Sequence, residues 1–591
     1  MSSANNVYGE FFKNLYECNT QLFKTFNENS TTDNSMQEAM MQQNSKDLCS
    51  WFEETSKQPE HLLHTQMKWW QDQMQIWQNS MVSNSSQDLD AIIEPEKYDL
   101  RFDDPAWQKD VLFDTIKQSY LLFSKNMFEM INQTQGLNPD VKQRLNVFSR
   151  QMINAMSPSN FVLTNPELMR LTVESKGENL IRGMEQFQED LQASSDLLKV
   201  RMTPKDSFKL GRDLALTAGE VVFRNHLLEL IQYHPQTEQV NARPIFIVPP
   251  FVNKYYIMDM RKENSMVNWL VEQGHTVFLI SWRNPDASLA DSGFDDYVLN
   301  GIIASLETIE TCTGEQHVNA IGYCIGGTLL STAMAYMVSK RSKQRIKSAT
   351  LLTTILDFSN PGELGVYINQ AMVTSLEQRN KSLGYMDGRQ LAVTFNLLRE
   401  NSLHWNYYID NYLKGVSPVD FDFLFWSTDS TNVTAECHNF ILRQLYLENQ
   451  LKVPKSIQIQ GTGIDLTKVK VPVYYLSTSE DHIAEWKGTY ASSQLLSGEV
   501  TFVLGESGHI AGVINPPYKN KYGYWEGGKQ DADADAWLEA AKYHKGSWWS
   551  HWQGWLEQLD KEIEKVPARN IEPQASLAPA PGTYVLQQLP I

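Results

Sequence analysis

From residue 244 onward the chain sets down short, almost wholly apolar runs, several of them separated by helical stretches. The runs are PIFIV (244–248), HTVFLISW (275–282), VNAI (318–321), ATLLTTI (349–355), VPVYYL (471–476) and VTFVL (500–504). Runs this short, without polar alternation, read as strands buried on both faces. Helical patterns over 264–272, 295–311 and 326–339 lie between them. Buried strands alternating with helices predict an α/β fold, a mostly parallel sheet covered by helices, over about 201–591.

The alternation breaks between about 360 and 450. This segment is dense in aromatics, among them Phe395, Trp405, Tyr412, Trp426, Phe440 and Tyr446. An insertion placed before the last strands predicts a cap or lid subdomain. Further on, Trp548, Trp549, Trp552 and Trp555 cluster near the end of the fold. After about 566 the chain is rich in Pro and Ala, which predicts an extended tail. Upstream, residues 105–235 read as helical, most clearly over 111–131 and 168–198, and residues 1–200 are assigned to a helical N-terminal region. Residues 83–88 (SNSSQD) read as a linker. Leu62, Leu63, Met67, Trp70, Met74 and Trp77 recur at 3–4 spacing, as on one face of a helix. That stripe either packs on its own domain or contacts a partner or an apolar aggregate.

Composition removes several classes of function. At 42% apolar and 20% charged, 591 residues can build a large core. The net charge is −19 with no dense Lys/Arg cluster, so nucleic acid is not an expected partner. Five cysteines, an odd number without a C-x-x-C pair, argue against a disulfide scaffold or a bound zinc, and no metal is expected. No basic region leads into an apolar run at the start, and no apolar run approaches about 18 residues. A cytoplasmic protein without a transmembrane segment is expected.

Gly322-Tyr323-Cys324-Ile325-Gly326-Gly327 follows one apolar run and opens a helical pattern. Strand, tight turn and helix are the setting of a nucleophile elbow, here with Cys where Ser is usual. The nucleophile sits on a strained turn, so the flanking positions cannot carry bulk near the backbone. The helix points its N-terminus at the thiol and favours thiolate. The Ile325 N–H can then donate to an oxyanion. The loop PPFVN (249–253) supplies the Val252 N–H as second donor, with Asn253 beside it as a pocket candidate. Alone, G-x-C-x-G also fits a buried structural cysteine beside helix-packing glycines. The partners decide between these. In this fold the chain order is nucleophile, acid, base, each on a loop after a strand. Asp481 follows VPVYYL in STSEDH (477–482), and His509 follows VTFVL in GESGH (505–509). Cys324, Asp481 and His509 form the candidate triad. His482 is a competing base and a pocket candidate. Asp357 and Arg399 are candidates for pocket or cap-hinge groups.

At these residues the chain resembles class I poly(3-hydroxyalkanoate) synthases. The resemblance is carried by PPFVNKYYIMDMR (249–261), SWRNP (281–285), GYCIGG (322–327), TTILDFSNPGELG (353–365), LLRENSLHWNYYIDNYLKG (397–415), SEDHIAEW (479–486) and ESGHIAGVINPP (506–517). It extends upstream through SPSNFVLTNPEL (157–168) and GRDLAL (211–216), covering about 100 to 525. It implies an α/β-hydrolase core with a cap. It also implies a polymerase that links (R)-3-hydroxyacyl units from coenzyme A thioesters into polyester and releases CoA, with no cofactor. Short-chain units such as 3-hydroxybutyryl-CoA are the expected substrate. Carried over, the nucleophile falls on Cys324, the acid on Asp481 and the base on His509. A homodimer formed through cap-region contacts is implied as well.

A cysteine suits a thioester substrate, because acyl transfer from CoA to Cys324 exchanges one thioester for another and keeps the acyl group activated. Asp481 either orients His509 or helps remove the proton of the attacking hydroxyl. The CoA phosphates call for cations, and Lys254 and Arg283 are the candidates. The Met/Trp stripe is expected to meet the growing polyester granule or granule-associated proteins, placing the chain on cytoplasmic granules. Two other functions use the same features: a thioester or polyester hydrolase (a depolymerase) with the same triad, and an inert granule-associated scaffold.

Overall fold

The computed structural model describes residues 35–82, 91–97, 99–193, 200–204, 206–529 and 533–589, so the linker expected at 83–88 lies outside it. The described chain opens with helices α1 (Ser35–Ser56), α2 (Pro59–Val82), α3 (Val111–Gln133), α4 (Pro139–Ala155), α5 (Pro166–Glu174) and α6 (Glu178–Ala193). Their starts are written locally. The Asp110 carboxylate accepts from Leu112 and Phe113 N–H, and Asn138 and Asn165 each cap a helix that begins with proline. Trp51, Met127, Ile131, Leu145 and Ile153 form a small core of their own beneath this layer. On α2 the polar Thr65 and Gln73 are buried with Ile76, and Gln73 Nε2 donates to Ser119 Oγ of α3 at 2.9 Å. The apolar stripe faces outward: Leu63, Met67, Trp70, Met74, Trp77 and Met81 are all exposed.

An 11-stranded sheet follows. Its strands are β1 (Gly219–Arg224), β2 (Leu228–Tyr233), β3 (Ile245–Val248), β4 (Val277–Trp282), β5 (Val318–Tyr323), β6 (Ile346–Leu352), β7 (Val473–Thr478), β8 (Val500–Gly505), β9 (Tyr524–Glu526), β10 (Lys542–His544) and β11 (Ala578–Pro579). Six of these answer to the six apolar runs. The spatial order is β10-β9-β8-β7-β6-β5-β3-β4-β2-β1-β11. β8, β7, β6, β5, β3 and β4 pair in parallel; the flanking strands pair antiparallel. Every residue of β4, β5 and β7 is buried, as parallel strands covered on both faces must be. Helices α8 (Ala304–Thr313) and α9 (Ile325–Ser339) pack on one face. Helix α7 (Met266–Glu272) and the late Trp-rich helix α12 (Trp548–Leu559) pack on the other. Between α9 and α12 come α10 (Gln370–Leu383) and α11 (Gly388–Leu397), which open the helical insertion between β6 and β7. This is the α/β-hydrolase arrangement, with an inserted subdomain and a helical N-terminal region.

One reading needs correction. Residues 219–233, taken as part of a helical stretch, are the strands β1 and β2. The polar Glu229 and Gln232 hid β2, yet both are buried there. The tail beyond 566 runs extended and is paired with other strands. Lys565–Pro567 pairs with Gln239–Asn241, and β11 adds to the edge strand β1. Fully buried Glu229 accepts from Thr583 N and Tyr584 N at 2.9 and 3.0 Å and pairs with Arg224.

Candidate active site

Strand order locates the site before any side chain is considered. From β3 the chain steps outward to β4, then returns to the other side of β3 as β5. At such a reversal the loops leaving the two adjacent strands diverge and open a crevice at their C-terminal ends. Cys324 leaves β5 at that point, and the loop 249–253 leaves β3 beside it.

Cys324 has φ 53° and ψ −126° and stands directly before α9, in a region that L-residues rarely occupy. Three glycines make the turn sterically possible. A Cβ on Gly322 would lie 2.5 Å from Gly327 Cα, one on Gly326 would lie 2.4 Å from the Val248 carbonyl oxygen, and one on Gly327 would lie 2.0 Å from Thr354 Oγ1. Gly326 thus lets the start of α9 press against the end of β3. The loop 249–253 is pinned there, because Trp282 Nε1 donates to the Pro249 carbonyl at 3.0 Å and Thr431 Oγ1 to the Phe251 carbonyl at 3.1 Å. Ile325 is the first residue of α9, so its N–H has no acceptor within the helix. Val252 and Asn253 are half-buried, and Asn253 takes a positive φ of 65°.

The structure brings Cys324, His509 and Asp481 together. His509 Nδ1 lies 2.6 Å from Asp481 Oδ2, with both residues buried. Asp481 Oδ1 accepts from Ile483 and Ala484 N–H, each at 2.9 Å, which fixes the carboxylate. The Cys324 side chain acts on the imidazole as a further hydrogen-bonding and charge partner. Burial alone works against an imidazolium. The negative charges of Asp481 and of the Cys324 sulfur outweigh it and push the His509 pKa up to about 10. The arrangement is that of a charged imidazole held between the Asp481 carboxylate and the Cys324 sulfur.

His482 points elsewhere. Its Nδ1 is buried without a partner, and burial, reinforced by the Arg399 cation, lowers its pKa to about 4. It stays neutral, and it makes no bond to Asp481 that would let it replace His509. Arg399 Nη2 donates to the Glu480 carbonyl at 2.9 Å, one residue from the acid. Asp357 is committed to structure: its carboxylate accepts from Ser359 and from Asn449 Nδ2 and pairs with Lys452, at the base of the cap. Lys254 is corrected as a phosphate ligand. It is buried, with Nζ 2.7 Å from Asp429 Oδ1. Arg283 pairs with Asp286 and lies over the Tyr584 ring.

Sequence reasoning missed three supports. Tyr323 stacks on the His509 ring (5.5 Å, 27°) and donates its hydroxyl to the His509 carbonyl at 3.0 Å. Trp548 and Trp549 donate from Nε1 to the Gly512 and Val513 carbonyls, at 3.0 and 2.9 Å, and hold the loop that carries His509. The sequence shows the Trp cluster but not the loop it holds. Tyr446 of the cap is half-buried, and its hydroxyl pKa is raised first by burial and second by the Cys324 charge, so the cap's aromatic surface lies near the thiol.

Comparison with known proteins agrees with this architecture. Residues 98–270 match the family described as the N-terminus of poly-beta-hydroxybutyrate polymerase (PhaC), and residues 255–516 match the alpha/beta hydrolase fold. The chain is 44% identical to a poly(3-hydroxyalkanoate) polymerase from Methylorubrum extorquens, over 90% of this chain and 87% of that one. It is 44% identical to a poly(3-hydroxyalkanoate) polymerase subunit from Rhizobium etli, over 84% of this chain and 78% of that one. To the corresponding subunit from Cupriavidus necator it is 41% identical, over 89% and 88%. With this identity over most of its length and theirs, the chain belongs to the poly(3-hydroxyalkanoate) polymerases, enzymes of the acyltransferase type.

Proposed function

We propose that the chain polymerises (R)-3-hydroxyacyl-CoA, with short-chain units such as 3-hydroxybutyryl-CoA preferred, through an acyl-Cys324 intermediate. The observation that carries this reading is the His509 ring bonded to Asp481, with the Cys324 side chain as its other partner at the start of a helix. The Cys324 thiolate attacks the thioester carbonyl, and the Ile325 and Val252 N–H groups receive the oxyanion. The CoA thiolate departs and takes the His509 proton, leaving as CoASH. A 3-hydroxyl then attacks the acyl-Cys324. Its proton passes to His509, with Asp481 either orienting the ring or assisting the hydroxyl directly. Each cycle breaks one CoA thioester and forms one ester.

Water competes with the hydroxyl at every cycle. The aromatic cap around Tyr446 and Phe358, whose rings meet at 4.8 Å, supplies the dry wall that favours the ester. The exposed stripe on α2 contacts the polyester granule or its associated proteins, and the active form is a homodimer joined through the cap. The test is incubation with (R)-3-hydroxybutyryl-CoA while thiol release and insoluble polymer are followed together. Polymer formed in step with thiol is the expected result. Thiol with only soluble hydroxy acid would make the chain a hydrolase, and no thiol at all would leave a scaffold.

A further inference from the structure

We propose that Arg150 is a positioning residue of this polymerase: from the N-terminal helical layer it grips two segments of the cap and, through them, the loop that carries Asp481. The inference rests on reading Asp481 as the acid of the triad. Arg150 lies on α4, far in sequence from its partners. Its Nη1 and Nη2 donate to the two carboxylate oxygens of Glu363 at 2.5 and 2.9 Å, and its Nε donates to Glu400 Oε1 at 3.1 Å. Glu363 stands on the cap's first arm, just after β6; Glu400 follows α11. Glu400 is buried, and Asn154, one turn further along α4, donates to the same carboxylate at 2.8 Å. Gln151 adds a bond to the Leu397 carbonyl at 3.1 Å.

Each of these cap segments lies along the acid loop at the residue next to its glutamate. Gly362, at φ +67°, lies beside that loop, where a Cβ would be in ordinary contact, 3.4 Å, with the His482 carbonyl oxygen. Arg399 donates to the Glu480 carbonyl at 2.9 Å. Glu480 and His482 are the two neighbours of Asp481 in the chain. Exposed ion pairs contribute little, but this fork is half-buried and ends on a buried carboxylate. Burial opposes its charge, yet the two glutamates outweigh that and raise the Arg150 pKa. A planar guanidinium can hold two carboxylates in fixed directions; an ammonium cannot. The fork therefore fixes two cap segments to the N-terminal layer at once, and a loosened acid loop would weaken the Asp481–His509 bond that keeps the imidazole charged.

The test uses the full chain with Arg150→Gln, Arg150→Lys, Glu400→Gln, the Arg150→Gln/Glu400→Gln pair and Arg399→Ala. The expected result for Arg150→Gln is a kcat about tenfold lower with KM changed by less than about twofold, since small misplacements at a reacting centre cost that much. Arg150→Lys does not restore it, and the double variant falls no further than Arg150→Gln, because the two residues form one unit. Alkylation of Cys324 by iodoacetamide at neutral pH slows by about threefold or more in the Arg150 variants and in Arg399→Ala, as less imidazolium supports less thiolate. Arg399 is exposed, so its variant decides the matter if Arg150→Gln does not fold. Full recovery by Arg150→Lys, additive losses in the double variant, or unchanged kcat and alkylation in Arg399→Ala would each overturn the proposal. A wild-type chain that releases no thiol, while its Cys324 alkylation still slows in the variants, would strike the reaction assigned above and leave this inference standing.

Discussion

At His509 the sign of the pKa shift fixes how the site answers pH. An imidazole raised from 6.5 to about 10 contributes stability that is complete below 6.5 and lost as pH rises through about 10. Over the same range the imidazolium stands beside the Cys324 sulfur. Alkylation of Cys324 by iodoacetamide at pH 7 is therefore expected to be fast in the native chain and about tenfold slower or more in His509→Ala, with Asp481→Asn between them. Equal rates in the three proteins would remove the ion pair from the account. His482, one residue from the acid, carries no such role, since burial and Arg399 keep it neutral to about pH 4.

At the scale of elements, what the sequence discloses depends on how local the cause is. The six apolar runs give the six parallel strands because burial on both faces demands unbroken apolar character. The elbow is legible because Gly322, Gly326 and Gly327 answer close approaches that nothing larger survives. β2 is not legible. Its Glu229 is satisfied by Thr583 and Tyr584, some 350 residues further on, and no local pattern announces such a partner. The same holds for Tyr323 and Trp549, whose bonds to the His509 loop exist only after folding. Helix α2 shows the opposite failure: its periodicity is plain, but its polar face is the one that is packed. Its outward stripe, from Leu63 at 63% exposure to Met81 at 78%, is what a surface-seeking helix presents. Replacing Met67, Trp70 and Met74 together by Glu is expected to lower co-sedimentation with polyester granules severalfold while soluble thiol release is retained. Undiminished co-sedimentation would remove α2 as the contact.

Across the whole molecule, one carboxyl outside the site shapes the pH response of the fold. Asp259 is buried and accepts from Thr217 Oγ1 and Ser265 Oγ, each at 2.6 Å, tying the entry to β1 to the start of α7. Burial dominates over these bonds and raises its pKa to about 6. Below its ordinary value of 3.8 both folded and unfolded chains hold the proton. Between about 4 and 6 the unfolded chain releases it first, so this group lowers stability as pH rises through that window, by about 3 kcal/mol. Urea denaturation from pH 4 to 7 is expected to show that component in the native chain and to lack it in Asp259→Asn; identical profiles would refute it.

The seam between β1 and β11 has a consequence for how the protein is made. Glu220 pairs with Pro579, so about 360 residues separate the two sides of that edge. At roughly 5–20 residues per second, a ribosome needs about 20–70 s to deliver the second side after the first. For that interval β1 presents unsatisfied backbone and Glu229 lacks its Thr583 and Tyr584 donors. A nascent chain in that state is a template for its neighbours on the same polysome, and a messenger truncated before codon 578 would yield a product that stays so permanently.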